Sequence, residues 1–291
     1  MTAQESKNKI KFIEEEAPRY PCLLKEISDA PAGLYLLGEL PAEEKPKIAV
    51  VGTRKATTEG RSIAKRIAKE LSEQGMVIVS GLAVGIDSAA HEGALEANGK
   101  TITVLANDLG KIYPARNQNL GEKILEFGGA IISEYGSETP YFKGQFLKRN
   151  RIISGLCQAV IIVEAPQKSG SLATARLAAE QGLEVFVVPG PINHPNYYGS
   201  HQLIRDGARL ISSTEDVLED LGISVNQHKP AFENIKDKNQ LLIIQTIKEA
   251  GHPLNIDKII ELTKLEPQVV NQSIALLSIQ GVVKETERGY A

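Results

Sequence analysis

The sequence predicts an α/β fold, in which a mostly parallel sheet is followed by a small helical domain. Six short apolar runs rich in β-branched residues recur within the first 190 residues, and amphipathic segments long enough for helices lie between them. Continuous apolar runs are typical of strands that are covered on both faces. Alternation of strands and helices gives parallel strands joined by right-handed crossovers.

The predicted strands and helices follow one another along the chain. The strands are predicted at residues 48–51, 76–79, 101–105, 130–132, 159–163 and 185–188. The helices between them are predicted at residues 60–74, 87–97, 118–127 and 172–181. In the first of these helices, Ile63, Ile67 and Leu71 recur at intervals of four residues, with basic residues on the opposite face. That spacing indicates an amphipathic helix that packs on the sheet.

The same patterns predict four parts of the chain. Residues 1–44 form an N-terminal extension, and residues 45–221 form the α/β domain. Residues 222–238 have no sustained periodicity, which is typical of a linker. Residues 239–291 contain three short amphipathic segments and a final ribbon pattern. This order favours a winged-helix-like domain over a simple helical cap.

Composition excludes several classes of protein. The chain has 291 residues, of which 42% are hydrophobic, as in ordinary globular proteins. Its apolar runs are shorter than the ~18–20 residues that a membrane span needs. The first 16 residues carry acids and lack the apolar core of a signal peptide. Cys22 and Cys157 have no metal-ligand spacing. We therefore expect a cytoplasmic protein without membrane contact, metal or cofactor.

Charge is unevenly distributed in this chain, whose net charge is −3. Residues 45–70 hold eight lysines and arginines against two acids, and residues 141–176 hold six against Glu164 alone. Residues 1–44, by contrast, hold five bases and nine acids. Two basic islands in an acidic protein indicate a localised anion site.

Glycine and small polar residues follow the predicted strands, at the edge where open α/β sheets bind their ligands. Glycine lets a ligand approach the backbone, and a helix that starts there presents free N–H groups to a phosphate. Several such turns on one edge, two of them with a cation, predict phosphate binding. The residues concerned are Gly52, Thr53, Arg54, Gly81, Lys168, Ser169, Gly170 and Ser171.

A basic segment precedes the fifth predicted strand. It consists of Lys148, Arg149, Asn150 and Arg151. Three cations within four residues could grip a phosphate backbone. Alternatively, the segment is a solvated helix start whose arginines pair with acids on a neighbouring loop. The local sequence favours neither interpretation.

Catalytic and nucleotide-binding signatures are missing. Neither G-x-G-x-x-G after the first strand nor G-x-x-x-x-G-K-S/T occurs. Asp87 and His91 are four residues apart, but no second pair of metal ligands accompanies them. Asp87 is interpreted as a helix N-cap, His91 as a structural hydrogen-bonding residue and Cys157 as a core residue. No residue is assigned a catalytic role.

Taken together, the motifs resemble those of one family. They stand in the order Tyr20-Pro21, Val51-Gly52-Thr53-Arg54, Ser80-Gly81-Leu82-Ala83, Tyr113-Pro114, Arg149-Asn150-Arg151-Ile152-Ile153-Ser154-Gly155, Lys168-Ser169-Gly170-Ser171 and Pro189-Gly190. From Arg19 to about Leu221, the chain resembles the bacterial DNA-processing protein A family, called DprA or Smf.

The resemblance implies an extended Rossmann-like domain that binds single-stranded DNA with little sequence preference. It also implies a homodimer that protects incoming DNA and loads the RecA recombinase during natural transformation, without enzymatic activity. Residues 52–54 and 168–171 would each hold a phosphate, and Arg149 and Arg151 would line a basic pocket. Tyr141, Phe142 and Phe146 would be the nearest candidates for base stacking, although core or dimer packing explains them equally well.

Three features depart from the family pattern. The 18 residues before Arg19 are too few for the N-terminal helical domain of many members. Asn107-Asp108-Leu109 stands where glycines are usual. Residues 229–291 hold eight bases and eight acids, so this module is expected to bind protein rather than DNA strongly.

An alternative is an enzyme related to the LOG-type phosphoribohydrolases, which share a nucleotide-binding fold and cleave an N-glycosidic bond. Their signature is a Pro-Gly-Gly-x-Gly-Thr turn followed by paired acids. Here the corresponding region offers Pro189-Gly190-Pro191, or the turn at residues 168–171 with no acid pair after it. The enzyme is therefore the lesser hypothesis.

Overall fold

Within the described residues, nine strands form a mixed sheet in the first of two units, residues 1–225 and residues 226–291. The structure is a computed structural model and describes residues 9–140, 142, 144–223, 237–279, 282–283, 285–286 and 289–290. The strands are β1 (Lys11–Glu14), β2 (Gly33–Gly38), β3 (Lys47–Val51), β4 (Val77–Ser80), β5 (Thr101–Leu105), β6 (Ala130–Ser133), β7 (Ala159–Ile162), β8 (Glu184–Val187) and β9 (Arg209–Leu210). Their order is β1-β2-β6-β5-β4-β3-β7-β8-β9. Pairs β1–β2 and β2–β6 are antiparallel, and the other neighbours are parallel.

Helices cover both faces of this sheet. They are α1 (Cys22–Lys25), α2 (Thr58–Glu73), α3 (Ile86–Glu96), α4 (Gln118–Glu126), α5 (Gln145–Gly155), α6 (Gly170–Glu180), α7 (Tyr198–Arg205) and α8 (Thr214–Asp220). The predicted α/β fold is confirmed: β3 to β8 agree with the predicted strands to within one residue at each end. Helices α2, α3, α4 and α6 agree with theirs to within two residues.

Burial on both faces explains why the strands are continuously apolar. In β3, Ile48 and Val50 enter the core beneath α2, α3 and α8, whereas Ala49 and Val51 enter the core beneath α5 and α6. Successive strand residues point to opposite faces, so each face of the sheet requires its own apolar set.

The N-terminal segment belongs to the sheet and is not merely an extension. Strand β1 pairs with β2, and β2 pairs with β6. The predicted boundary at residue 44 therefore does not separate this segment from the sheet, since residues 11–14 and 33–38 form its antiparallel edge.

Close approach of α2 and α3 depends on Gly93. A methyl group at this position would meet the carbonyl of Lys65 on the neighbouring helix. Gly93→Ala is therefore expected to lower the free energy of unfolding by about 1–3 kcal/mol, because the helices must separate. Urea unfolding measures this loss. Gly170→Ala is the control, since nothing lies within 4 Å of an added methyl there, and equal losses in both variants would contradict the explanation.

The second unit has its own core. Helices α9 (Lys238–Ala250), α10 (Ile256–Thr263) and α11 (Pro267–Ile279) bury Ile243, Ile259 and Leu277 against one another. The short strands β10 (Glu285–Thr286) and β11 (Gly289–Tyr290) form an antiparallel pair. The winged-helix assignment stays a prediction. The predicted linker, residues 222–238, lies largely outside the described residues.

Candidate nucleic-acid interface

A cavity of about 470 Å³ opens where the carboxyl ends of β3 and β7 meet. The chain builds the sheet outward from β3 in one direction and from β7 in the other, so the cavity lies at the topological switch point. Open α/β sheets bind their ligands at this place. The predicted site residues that line it are Gly52, Thr53, Arg54, Arg149, Asn150, Lys168, Ser169, Gly170 and Ser171.

The turn between β3 and α2 carries two exposed cations, Arg54 and Lys55. Thr53 N donates to the carbonyl of Glu164 at 2.8 Å, which fixes the start of the turn against the end of β7. At its other end, Thr57 Oγ1 accepts from Gly60 N at 2.9 Å and caps α2. The turn therefore holds both cations between two anchored ends.

The carboxylate of Glu164 fixes the same turn from behind. It is fully buried and accepts hydrogen bonds from Thr57 N at 3.0 Å, Thr57 Oγ1 at 2.5 Å and Asn196 Nδ2 at 2.9 Å. The Asn196 amide also donates to the carbonyl of Lys55 at 3.0 Å. One carboxylate thus joins the turn after β3 to the loop that precedes α7.

The start of α6 forms the opposite wall of the cavity. Ser169 caps this helix by accepting from Ser171 N at 3.3 Å, and the two hydroxyl oxygens are 2.7 Å apart. Lys168 and Gly170 are exposed at the same corner. The positive end of the helix dipole and the Lys168 ammonium both favour an anion here.

Arg149 forms the floor of the cavity, and its side chain is only 5% exposed. Its Nη1 donates to the carbonyl of Gly81 at 2.9 Å and to that of Val104. Burial lowers the pKa of Arg149 to about 10, although the nearby Asp87 carboxylate acts in the opposite direction. The guanidinium therefore stays charged at neutral pH.

Asp87 is not the N-cap that the sequence predicts. Gly85 holds that position, and Asp87 lies in the first turn of α3, where its carboxylate accepts from Gly81 N at 3.1 Å. Burial raises the pKa of Asp87, and the Arg149 guanidinium beside it opposes that rise. The Asp87 carboxyl and the Arg149 guanidinium are therefore both buried beneath the anion site, where each influences the pKa of the other and both bond to the backbone of Gly81.

Three predicted site residues do not line this cavity. Arg151 is buried elsewhere, where its Nε is 3.0 Å from Asp29 Oδ2 and its Nη2 is 2.5 Å from Glu134 Oε1. Gly81 packs against the Arg149 guanidinium, and Lys148 lies over the Phe142 ring at 5.8 Å. The prediction that Arg151 lines the basic pocket is therefore wrong, and the alternative of pairing with acids holds for it.

The family model described as DNA recombination-mediator protein A matches residues 11–222. The chain belongs to this family. It is 43% identical to protein Smf of Escherichia coli (strain K12) over 223 residues, which cover 77% of this chain and 60% of that protein. The chain therefore spans less than two thirds of the length of that relative.

Two solved structures of DprA proteins resemble the chain. DNA processing protein A from Streptococcus pneumoniae is 41% identical with a TM-score of 0.68, covering 75% of this chain and 76% of that one. DNA processing protein A from Helicobacter pylori, described for its single-stranded DNA binding mode, is 34% identical with a TM-score of 0.66. That match covers 74% of this chain and 97% of the H. pylori chain. These similarities confirm the DprA/Smf assignment and the Rossmann-like fold.

Sequence reasoning missed several residues around the site of this DprA-family chain. Lys55 follows Arg54 directly, so the same strand-end argument could have included it. Asn196 contacts Glu164 only in the tertiary fold, and no local sequence pattern predicts that contact. Of the predicted stacking residues, Phe146 lines the cavity, Phe142 lies outside its lining, and Tyr141 lies outside the described residues.

His91 and Cys157 are buried structural residues, as the sequence predicts. His91 Nδ1 is 2.7 Å from Thr101 Oγ1, and burial lowers its pKa to about 3, so the ring is neutral. Burial raises the pKa of the Cys157 thiol. In the described ranges no group of three or more potential metal ligands occurs, and no helix is long and apolar enough to cross a membrane.

Proposed function

We propose that this protein binds single-stranded DNA and mediates recombination without being an enzyme. The observation that carries the proposal is the cavity at the switch point, which combines Arg54, Lys55 and Lys168 with a helix N-terminus. The described binding of single-stranded DNA by the H. pylori relative supports it.

The contacts available in the cavity suit a DNA backbone rather than particular bases. Arg54 and Lys55 approach a phosphate from one side, and Lys168 with the positive N-terminal end of α6 approaches from the other. Arg149 adds a buried positive charge beneath them. Phosphate contacts carry no sequence information, so binding is tolerant of sequence and weakens as salt rises.

Family membership also supports a proposal for the wider role. We propose that the protein acts in the cytoplasm as a homodimer, protects incoming DNA and loads RecA onto it in natural transformation. The family description, a recombination mediator, supports this assignment. The glycosidase alternative needs paired acids, whereas Asp87 is the one carboxylate among the described lining residues.

Fluorescence anisotropy of labelled oligo-dT and of a duplex, over a series of salt concentrations, tests the proposal. We expect tight binding of the single strand and weaker binding of the duplex. Arg54→Ala should weaken oligo-dT binding about tenfold or more, because a charge-assisted contact is lost. Its log–log salt slope should shrink by about 0.7, the value for one phosphate contact on a single strand.

Arg205→Ala is the matched control for this experiment. Arg205 is exposed at the end of α7, which leads to the amino end of β9 and hence to the opposite edge of the sheet. It should bind oligo-dT like the wild type. Absence of binding to either DNA by the wild type at low salt, or equal losses in both variants, would overturn the proposed function.

A further inference from the structure

We propose that Tyr113, together with Phe146, forms a nucleobase-binding subsite beside the phosphate cavity. The inference rests on the proposed binding of single-stranded DNA and adds a base contact at a residue that the motifs had not assigned to DNA. Its chemistry is aromatic stacking, which accepts any base because every base has a π-face.

The Tyr113 side chain lies at the surface and contributes little to the core. It is 50% exposed, although a ring of this size gains most from burial. Its ring centroid is 5.8 Å from that of Phe146, with 57° between the planes. About half of the Tyr113 surface therefore stays exposed beside Phe146 and is available to a ligand.

Phe146 connects Tyr113 to the anion site. It lines the cavity, and the Arg54 guanidinium lies over its ring at 5.0 Å from the centroid. The phosphate-binding cation and the exposed tyrosine therefore both contact the same phenyl ring. A strand whose phosphate lies at Arg54 brings its own or a neighbouring base to Tyr113.

The backbone on both sides of Tyr113 is held in place. On one side, Asn107 Nδ2 donates to the carbonyl of Lys111 at 2.7 Å. On the other, Asn117 N donates to the carbonyl of Pro114 at 2.8 Å, and Asn117 Nδ2 to that of Leu82 at 2.7 Å. The bond from Asn117 Nδ2 to Leu82 connects the segment that carries Tyr113 to the loop after β4. A preorganised ring loses little conformational freedom when a base stacks on it.

The test compares oligo-dT with an oligonucleotide of equal length and charge that carries abasic sites. In the full-length protein, Tyr113→Ala should weaken binding of intact oligo-dT about tenfold, which corresponds to about 1.4 kcal/mol and lies within the range for one stacked base. Binding of the abasic strand should not change, because it offers no base. The salt slope should equal that of the wild type, in contrast to Arg54→Ala.

Two further variants complete the experiment. Tyr113→Phe keeps the ring and should bind like the wild type. Phe127→Ala should also leave affinity unchanged, because Phe127, 43% exposed, follows α4 at the opposite edge of the sheet. Thermal melting establishes that each variant is folded.

The inference is overturned if Tyr113→Ala binds intact DNA like the wild type, or if it weakens intact and abasic strands equally. The proposed function fails separately, when the wild type binds neither strand. Loss confined to the intact strand supports both.

Discussion

Replacing Arg149 with methionine is expected to lower the free energy of unfolding by about 3–5 kcal/mol at neutral pH. Methionine keeps much of the apolar volume but removes the charge that faces Asp87. The Asp87 carboxylate then stays buried without its counter-charge, and the carbonyls of Gly81 and Val104 lose a donor. Breaking one half of a buried pair costs more than the pair contributes, because the remaining group is left desolvated.

This loss should depend on pH through Asp87. Burial raises its pKa above 3.8, so the folded state holds the proton more tightly than the unfolded chain does. Stability then falls as pH rises from the unfolded pKa through the folded one. Without Arg149 the folded pKa rises further. The difference between Arg149→Met and the wild type should therefore be smallest near pH 4 and grow toward pH 7, as urea unfolding at both pH values can measure.

Two variants serve as controls for the charge pair. Lys148→Met alters the neighbouring exposed cation and should change stability by at most about 0.5 kcal/mol. Asp87→Asn added to Arg149→Met should recover part of the lost stability, since it removes the uncompensated charge. If the double variant is less stable than Arg149→Met by as much as Asp87→Asn alone destabilises the wild type, the two side chains do not interact.

The two arginines show what the sequence could and could not predict. Arg149 and Arg151 are neighbours in a basic segment, and local charge density assigns both to an anion site. On a helix, residues two apart do not share a face. Helix α5 therefore directs Arg149 to the cavity floor and Arg151 to Asp29 and Glu134. Which arginine faces the cavity is decided by these tertiary partners, which the local sequence does not reveal.

Strands were predictable for a related reason. β3 to β8 are buried on both faces, so their apolar runs identify them without knowledge of their neighbours. β1 and β2 lie at the antiparallel edge, where β1 is short, largely exposed and flanked by charged residues at both ends. Their pairing comes from tertiary contact with β6 rather than from a strong local pattern. The turns at residues 52–54 and 168–171 were found because glycine, small polar residues and cations lie directly after strands.

Replacing Glu164 with leucine is expected to affect both stability and DNA binding. The change removes the acceptor of the partly buried donors Thr57 N, Thr57 Oγ1 and Asn196 Nδ2. A buried unsatisfied group costs about 1–3 kcal/mol, and because water reaches part of these donors we expect the lower end of that range for each, or ~3 kcal/mol in total. Urea unfolding measures it. Glu180→Leu, which alters an exposed glutamate on α6, should change little.

The effect of Glu164→Leu on DNA binding shows whether the hydrogen bonds of Glu164 position the cations or only stabilise the fold. The carboxylate holds the end of the turn that presents Arg54 and Lys55, and Asn196 extends that hold to the Lys55 carbonyl. At a temperature where the variant is folded, its affinity for oligo-dT should fall several-fold, because the cations lose their fixed geometry. Asn196→Ala should lower affinity in the same direction with a smaller loss of stability. If folded Glu164→Leu binds oligo-dT with wild-type affinity, the hydrogen bonds of Glu164 are not needed to orient the two cations. Glu164 would then contribute to stability only.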